Sequence, residues 1–429
     1  MQTADPILDP ETKGLPAAAG ALRLSEVGRR GWNLLGEDLP LPIAVLRASA
    51  LDANSDWMRR FVALTGARLA PHGKTSMSPQ LFARQLADGA WGLTVATAQQ
   101  LRVARRAGAE RILVANELVG PREIEEILEE LAAHERLELF CLVDSVEGVR
   151  RLARAATARA IGRPLRVLVE IGYPGGRGGC RDAGAALAVA RVVKAAAPHL
   201  ALSGVEGFEG LRQSLPGAAS APEVVRFLEA IADAAGRIDA EGLFTAEEVI
   251  LSAGGSAYYD LVTAAFGGVR LSRPTAIVLR SGCYLTHDAG LYQRLFGELR
   301  ERSAQARAVT GGFENALEVW AYVLSVPEAG RAILGAGRRD FGHDAGMPVP
   351  LKRFRPGRDA QPQAATDGWE IAAVNDQHAH MTFAPGADIA VGDMIALGVS
   401  HPCTTFDKWR LMFVVDDAYT VASAIQTCF

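Results

Sequence analysis

The feature that most constrains the fold is a regular alternation of two kinds of segment between about residue 42 and residue 280. Short β-branched and aliphatic runs alternate with Ala-, Arg- and Glu-rich stretches. One such stretch is Pro121–His134, whose apolar residues recur every three or four positions, as one helix face requires. Strands separated by helices pair in parallel. Eight or nine units in about 250 residues predict a closed (β/α)8 barrel of the TIM type, with an open doubly wound sheet as the alternative. The predicted strands are Ile43–Arg47, Arg68–Pro71, Gly92–Ala96, Ile112–Asn116, Leu137–Val143, Arg166–Ile171, Leu202–Phe208, Glu248–Ser252 and Ala276–Leu279.

The pattern changes after about residue 310, where alternating apolar and polar residues predict a second, mostly antiparallel β domain. Its predicted strands are Leu317–Val326, Trp369–Val374, Met394–Leu397 and Leu411–Val415. The polar, Pro- and Arg-rich stretch Leu351–Asp367 is interpreted as an exposed loop. We therefore expect an N-terminal extension over residues 1–40 that packs on the β domain, a barrel over residues 41–300 and the β domain over residues 301–429.

Composition and charge exclude several classes of protein. The 45 Lys and Arg residues and 49 Asp and Glu residues give a formal net charge of −4, which disfavours a nucleic-acid partner. No apolar run reaches the roughly 18 residues that a membrane span needs, and the polar N-terminus does not resemble a signal peptide. The five cysteines are few and scattered. They indicate a reduced, cytoplasmic protein in which a functional cysteine is a ligand or nucleophile rather than half of a disulfide.

Lys74 directly follows a predicted barrel strand, in the segment Arg68–Thr75. Active sites of such barrels lie at the C-terminal ends of the strands. A lysine in a barrel mouth loses its charge at modest cost and can attack a carbonyl to form a Schiff base. Taken alone the observation is weak, because most lysines are solvated surface residues.

Two Gly-rich turns follow the last two predicted barrel strands, at Ser252–Ser256 and Arg280–Tyr284. Exposed backbone N–H groups in such turns bind phosphate, and barrels often place a phosphate site after strands 7 and 8. Either turn alone is an ordinary loop. Together with Lys74 on an early strand, the two turns predict a pyridoxal-phosphate site.

A candidate metal site lies in the C-terminal domain, at His401-Pro-Cys403. Side chains two positions apart in an extended segment share a face, and an imidazole with a thiolate suits zinc. A third ligand must come from elsewhere; His378 is the best candidate, with Asp376 and His380 in reserve. The alternative interpretation is a buried cysteine beside a histidine in a turn.

The order of these motifs resembles the D-serine dehydratase/D-threonine aldolase family, fold-type III pyridoxal-phosphate enzymes related to alanine racemase. The resemblance covers roughly residues 40–415 and is most specific over Arg68–Asn116. Lys13–Pro16 and Gly31–Leu35 are similar to the longer, bacterial D-amino-acid deaminase branch of this family. The resemblance implies a homodimer in which the C-terminal domain of one subunit closes the barrel mouth of the other.

The resemblance also implies roles for individual residues. Lys74 matches the Schiff-base lysine, His72 lies beside the cofactor, and Arg177 matches the arginine that faces the phenolic oxygen. His401 and Cys403 match the zinc pair of the dehydratase branch. Phe208 stands where the family often has a phenol near the pyridine nitrogen, and Gln377-His378-Ala379 lacks the family's carboxylate near the metal. The implied phosphate-binding residues are Gly254, Gly255, Ser256, Gly282, Cys283 and Tyr284.

The implied activity is that of a zinc-dependent D-serine dehydratase, a lyase that removes the hydroxyl of a D-3-hydroxy amino acid and yields a 2-oxo acid and ammonia. Cys403 favours this reaction, because the aldolase branch usually has Asp at that position. The alternatives are a D-threonine aldolase-type enzyme, an amino-acid racemase and a non-catalytic pyridoxal-phosphate carrier. The β domain with His401 and Cys403 argues against the carrier, which would need no metal ligands.

Overall fold

The N-terminal segment runs along the C-terminal domain in the computed structural model, which describes residues 5–210 and 221–429. Strand β1 (Ile7–Leu8) pairs antiparallel with β2 (Leu22–Arg23), and a short 3-10 helix and strand β3 (Ile43–Arg47) follow. Leu22 and Leu34 are buried in the same apolar cluster as Trp320 and Phe413 of the C-terminal domain. This burial removes apolar surface from water and so attaches the segment to that domain.

Eight parallel strands form the barrel, which confirms the predicted fold class. Neighbours follow the order β4-β11-β10-β9-β8-β7-β6-β5, and a parallel bridge between His72 and Thr94 closes the ring. The strands are β4 (Arg68–Leu69), β5 (Leu93–Val95), β6 (Arg111–Glu117), β7 (Glu138–Val143), β8 (Leu165–Ile171), β9 (Leu200–Gly207), β10 (Val249–Ala253) and β11 (Thr275–Leu279). The helices around them are α1 (Ala48–Thr65), α2 (Pro79–Ala87), α3 (Ala98–Arg106), α4 (Pro121–Ala133), α5 (Val146–Arg159), α6 (Ala183–Ala195), α7 (Ala221–Ala240), α8 (Tyr259–Gly267), α9 (Leu291–Arg302) and α10 (Ala304–Ala308).

Helix α4 illustrates why these segments form helices. Pro121 occupies its first turn, where the missing N–H costs nothing. Ile124, Ile127, Leu128 and Leu131 lie three to four residues apart and are all buried. Each such side chain contributes roughly 1.5–3 kcal/mol on burial. The amphipathic pattern therefore determines both the helix and the face that packs on the barrel.

The C-terminal domain is mostly antiparallel, as predicted. Its main path runs β15-β14-β18-β12-β13-β17-β16, and β19 pairs with β20. The elements are β12 (Leu317–Glu328), β13 (Arg331–Leu334), β14 (Val349–Phe354), β15 (Gln363–Ala364), β16 (Glu370–Val374), β17 (Ala379–Thr382), β18 (Met394–Gly398), α11 (Cys403–Phe406), β19 (Leu411–Val415) and β20 (Val421–Gln426). No helix within residues 5–210 and 221–429 is long and apolar enough to span a membrane.

Two sequence-based placements are wrong. Strand β3 forms over Ile43–Arg47 as predicted, but it pairs with β12 and β19 of the C-terminal sheet and is not a barrel strand. The stretch Leu351–Asp367 is not simply an exposed loop, because its first residues belong to β14, which pairs with β18. In both cases the local pattern carries no information about which distant strand supplies the hydrogen bonds.

Candidate active site

A cavity of about 680 Å³ opens at the C-terminal ends of the barrel strands, where the C-terminal domain meets the barrel. Its volume is in the range of cavities that hold cofactor-sized ligands. Residues from both domains line it, including Lys74, Arg177, Ser256, Cys283, His401 and Cys403. The structure thus brings together in one cavity the candidate residues of three separate motifs.

Lys74 lies in a 3-10 turn, Gly73–Thr75, directly after strand β4. Its side chain is exposed to the cavity, and partial desolvation by the cavity walls lowers the pKa of its amine. The neighbouring thiols of Cys403 and Cys283 oppose this lowering of the pKa, whereas the guanidinium groups of Arg177 and Arg280 add to it. A lower pKa increases the fraction of the amine that is neutral, and the neutral amine is the form that attacks carbonyls and accepts protons. This turn packs closely on the end of β11, since a Cβ on Gly282 would lie 2.6 Å from the carbonyl oxygen of His72.

The turn after β10 binds an anion in this structure. Gly254 has a φ of +91°, which a side chain would disfavour, and its N–H donates to Glu209 Oε2 at 3.1 Å. The N–H of Gly255 donates to Glu209 Oε1 at 2.9 Å. The two amides therefore suit a phosphate, and the carboxylate of Glu209 stands in for it here. Sequence reasoning missed Glu209, although it lies one residue after Phe208.

Ser256 links the two Gly-rich turns, because its hydroxyl accepts a 3.2 Å hydrogen bond from the N–H of Cys283. Tyr284, also predicted at the phosphate site, is buried with its ring 6.4 Å from that of Phe313. Its side chain does not line the cavity. Any contact of Tyr284 with a phosphate would therefore come from its backbone.

Arg177 and Phe208 meet at the side of the cavity, with the guanidinium carbon 4.8 Å from the ring centroid. The loop that carries Arg177 is fixed by Arg181, which donates to the carbonyl oxygens of Gly178 at 2.6 Å and Gly179 at 2.8 Å. Arg177 thus lines the cavity beside Phe208, on a loop that Arg181 holds in place.

A buried ion pair lies at the base of the cavity. Arg280 donates to Glu206 Oε2 and, at 2.8 Å, to the carbonyl oxygen of Gly207. The other carboxylate oxygen of Glu206, Oε1, has no hydrogen-bond partner among the described residues. Burial raises the pKa of Glu206, and the Arg280 guanidinium opposes this rise. Glu206, Arg280 and Phe208 all line the cavity, and Phe208 has no hydroxyl to offer a ligand.

Two further acids, Glu117 and Glu170, pack beneath the Arg177 loop. Burial, together with a hydrogen bond to Glu117, raises the pKa of Glu170 to about 10. Glu117 Oε1 and Glu170 Oε2 lack other partners among the described residues. A proton on Glu170 satisfies this pair, since two carboxylates in contact cannot both ionise. The base of the site therefore carries fewer negative charges than its three glutamates suggest.

The candidate metal donors lie at the cavity mouth. Cys283 Sγ is 3.6 Å from Cys403 Sγ, and both thiols form one cluster with His401 in which all the ligand atoms lie within 4.8 Å of one another. Nδ1 of His401 is 2.7 Å from Asp344 Oδ2. A carboxylate at this nitrogen favours the Nδ1–H tautomer, in which Nε2 carries the lone pair that can bind a metal. The donor set of thiols and imidazole fits zinc.

The structure does not bring the predicted third ligand to this cluster. His378 is exposed between β16 and β17 and belongs to neither of the two groups of potential metal donors found among the described residues. His380 is engaged at Nε2 by Asn375 (2.7 Å) and Asp376 by Arg339 (3.2 Å). The carboxylate that seemed missing from the sequence is instead supplied by Asp344, from a loop that showed no recognisable motif.

The barrel, the lysine after its first strand and the anion-binding turn after its seventh define the class of fold-type III pyridoxal-phosphate enzymes. Residues 46–271, more than half of the chain, match the family of the alanine racemase N-terminal domain. The chain belongs to this family, and residues 316–415 match the serine dehydratase domain.

Individual relatives extend this picture. The chain is 26% identical to a D-threonine aldolase from an Arthrobacter species, over 88% of this chain and 89% of the relative. It is 27% identical to the D-threo-3-hydroxyaspartate dehydratase of Delftia sp. strain HT23, over 86% and 92%. The crystal structure of the D-threonine aldolase from Filomicrobium marinum superposes with a TM-score of 0.73 at 25% identity and covers 92% of this chain and 97% of that one. These relatives are lyases, in agreement with the predicted class of enzyme.

Proposed function

We propose that this protein is a pyridoxal-phosphate- and zinc-dependent D-serine dehydratase-like deaminase. It would remove the β-hydroxyl of a D-3-hydroxy amino acid and release a 2-oxo acid and ammonia. The observation that carries the proposal is the shared cavity, which places Lys74 beside the thiol and imidazole donors at Cys403 and His401. An elimination needs both a base at the α-carbon and a group that helps the hydroxyl leave.

Lys74 would hold the cofactor and move the α-proton. Pyridoxal phosphate, when bound, supplies the electron sink that makes the α-hydrogen acidic. The lowered pKa of Lys74 increases the fraction of its amine that is neutral, which is the form that acts as a base. Arg177 would bind an oxygen of the cofactor ring, and Glu206 with Arg280 would face the ring nitrogen from the base of the cavity.

His401 and Cys403 would hold the metal, with Asp344 orienting the imidazole. Zinc, when bound, supplies a Lewis acid for the substrate hydroxyl. The Asp344 contact fixes Nε2 of His401 toward the thiols rather than toward solvent. Support for a metal also comes from a similar structure, that of a D-threo-3-hydroxyaspartate dehydratase variant described as being in the metal-free form.

The second candidate function is that of an aldolase acting on the same substrates. It is favoured by the similarity to the D-threonine aldolase from the Arthrobacter species and to the 3-hydroxy-D-aspartate aldolase of Paracoccus denitrificans. An aldolase breaks the bond between the α- and β-carbons and keeps the hydroxyl oxygen in the product. The two reactions therefore differ in their products, and Cys403 supports the elimination through the family resemblance.

The test is a product assay. Purified protein with pyridoxal phosphate and zinc is incubated with D-serine, L-serine, D-threonine or D-threo-3-hydroxyaspartate, with and without EDTA. Metal-dependent 2-oxo acid and ammonia from the D-substrates support the dehydratase. Glycine together with an aldehyde or glyoxylate would indicate an aldolase, and racemised substrate would indicate a racemase. No product together with a bound cofactor absorbance would favour the carrier.

Matched variants separate the site from general damage to the fold. Lys74→Ala should abolish turnover and the label that borohydride reduction leaves on this residue. Lys194→Ala, at an exposed position on α6, should leave both unchanged. If borohydride reduction of the Lys74→Ala protein still attached the label to a different lysine, the assigned role of Lys74 would be contradicted.

We further propose that the enzyme is a cytoplasmic homodimer. The proposal rests on the family resemblance and on the cavity mouth, which the barrel and β domain of one subunit leave open to solvent. Light scattering after size-exclusion chromatography tests the oligomeric state. A monomer at micromolar concentration with full activity would contradict the requirement for a partner subunit.

A further inference from the structure

Cys283 occupies a position that the sequence assigned to the phosphate site, yet its thiol lies with the metal donors. We propose that Cys283 is the third protein ligand of the metal, so that the site is a Cys2His centre with one open position. The inference rests on the metal site of the proposed function and identifies a ligand that neither the motif nor the family comparison supplied.

The distance between the two sulfurs carries the argument. A zinc ion lies about 2.3 Å from a thiolate sulfur, so tetrahedral geometry separates two such sulfurs by about 3.8 Å. The observed separation of Cys283 Sγ and Cys403 Sγ is 3.6 Å. A disulfide would need about 2.05 Å. The two thiols are thus placed for a common tetrahedral ion, and His401 has a nitrogen within 4.8 Å of both.

The backbone around Cys283 explains why its thiol points this way. The residue begins a 3-10 turn after β11, and its N–H donates to Ser256 at the phosphate-binding turn. The side chain is buried, and besides the cluster its sulfur contacts Thr75 Oγ1 at 3.9 Å. Thr75 is also 3.5 Å from the sulfur of Cys403. Its hydroxyl therefore contacts both thiols directly beside Lys74.

Three protein ligands leave one position of a tetrahedral site open, which is the arrangement of catalytic rather than structural zinc. That position would accept one oxygen, such as a substrate hydroxyl. Two thiolates also select zinc over magnesium or manganese, which prefer oxygen ligands. Because the N–H of Cys283 belongs to the phosphate-binding turn, cofactor and metal binding should be coupled through this residue.

X-ray absorption spectroscopy on the zinc-loaded holoenzyme counts the sulfur ligands directly, independent of activity. We expect two sulfurs at about 2.3 Å in the wild type and one in Cys283→Ser and in Cys403→Ser. Cys428→Ser, a half-buried cysteine outside the donor cluster, is the matched control and should retain two. Loss of an outer-shell partner costs 10–100-fold in metal affinity, so loss of Cys283 should cost more than about 100-fold in a chelator competition.

A second variant distinguishes loss of the sulfur ligand from loss of the fold. Cys283→Asp keeps an anionic ligand and should show one sulfur, with an affinity for zinc between those of the wild type and Cys283→Ser. Circular dichroism verifies that each variant is folded. One sulfur in the wild type, or two in folded Cys283→Ser, would overturn the role of Cys283 but leave the metal site of the proposed function intact. A wild type that binds no zinc would overturn both, and a Cys283–Cys403 disulfide in the active holoenzyme would overturn the inference.

Discussion

The buried ion pair at the base of the cavity allows a quantitative prediction. Glu206 is 1% exposed and Arg280 is 6% exposed, so the two charges have little contact with water. Replacing Glu206 by Leu gives a side chain of similar size but leaves the guanidinium of Arg280 with one acceptor among the described residues, the carbonyl oxygen of Gly207. Breaking a buried pair in this way costs about 3–5 kcal/mol. Glu206→Gln keeps an acceptor and should cost less, about 1–3 kcal/mol.

The barrel offers a matched control in Arg68 and Glu248, which form a bidentate ion pair. The two guanidinium nitrogens of Arg68 lie 2.6 and 2.7 Å from the two carboxylate oxygens of Glu248. Their side chains are 39% and 38% exposed. Solvent screening limits such a pair to about 1 kcal/mol or less. Glu248→Leu should therefore destabilise the protein far less than Glu206→Leu.

Urea unfolding of the cofactor-free protein, followed by tryptophan fluorescence, measures both losses. The double variant Glu206→Leu with Arg280→Met should recover most of the stability, because a buried pair can be replaced by apolar groups of similar volume at little cost. If Glu206→Leu loses no more than Glu248→Leu, or if the double variant is less stable than either single variant, the reasoning from burial is refuted.

Three further predictions concern the same cavity. Because the folded-state pKa of Glu170, about 10, lies above the ordinary value of 4.5, its protonated form contributes stability fully below pH 4.5 and loses it as the pH rises toward 10. Glu170→Gln should remove a slope of up to about 1.4 kcal/mol per pH unit from the free energy of unfolding; an unchanged slope between pH 5 and 9 would contradict this. Glu209→Gln removes the anion that competes for the Gly254 and Gly255 amides. The Kd for pyridoxal phosphate, measured by fluorescence, should therefore fall about tenfold. Weaker binding would show instead that Glu209 stabilises the cofactor site. Gly282→Ala would force a Cβ to within 2.6 Å of the His72 carbonyl oxygen and should weaken cofactor binding, whereas Gly236→Ala on α7, with open space around it, should not.

Much of the fold could be predicted from local pattern alone. The period of apolar residues identified the eight barrel strands and helices such as α4 to within a few residues, because a side chain's inward or outward direction depends only on its immediate backbone. The same reasoning identified Lys74, since a residue that follows a barrel strand must lie at the C-terminal mouth. The Gly-rich turns were likewise recognisable, because positive φ at Gly254 demands a residue without a side chain.

The tertiary structure alone decided which distant segments meet. The local pattern of β3 predicts another barrel strand, yet β3 belongs to the C-terminal sheet. The pattern could not show this, because its hydrogen-bond partners in β12 and β19 lie hundreds of residues away along the chain. The sequence predicts Cys283 as part of a phosphate-binding turn. Only the packing of the C-terminal domain against the barrel brings its sulfur to 3.6 Å from the sulfur of Cys403. Asp344 carries no motif at all, but the fold of the C-terminal domain itself, which joins the loop before β14 to the loop after β18, sets it against His401. Periodicity and turn chemistry are local properties that a sequence displays directly, whereas the ligand set of a metal depends on side chains joined only through the folded core.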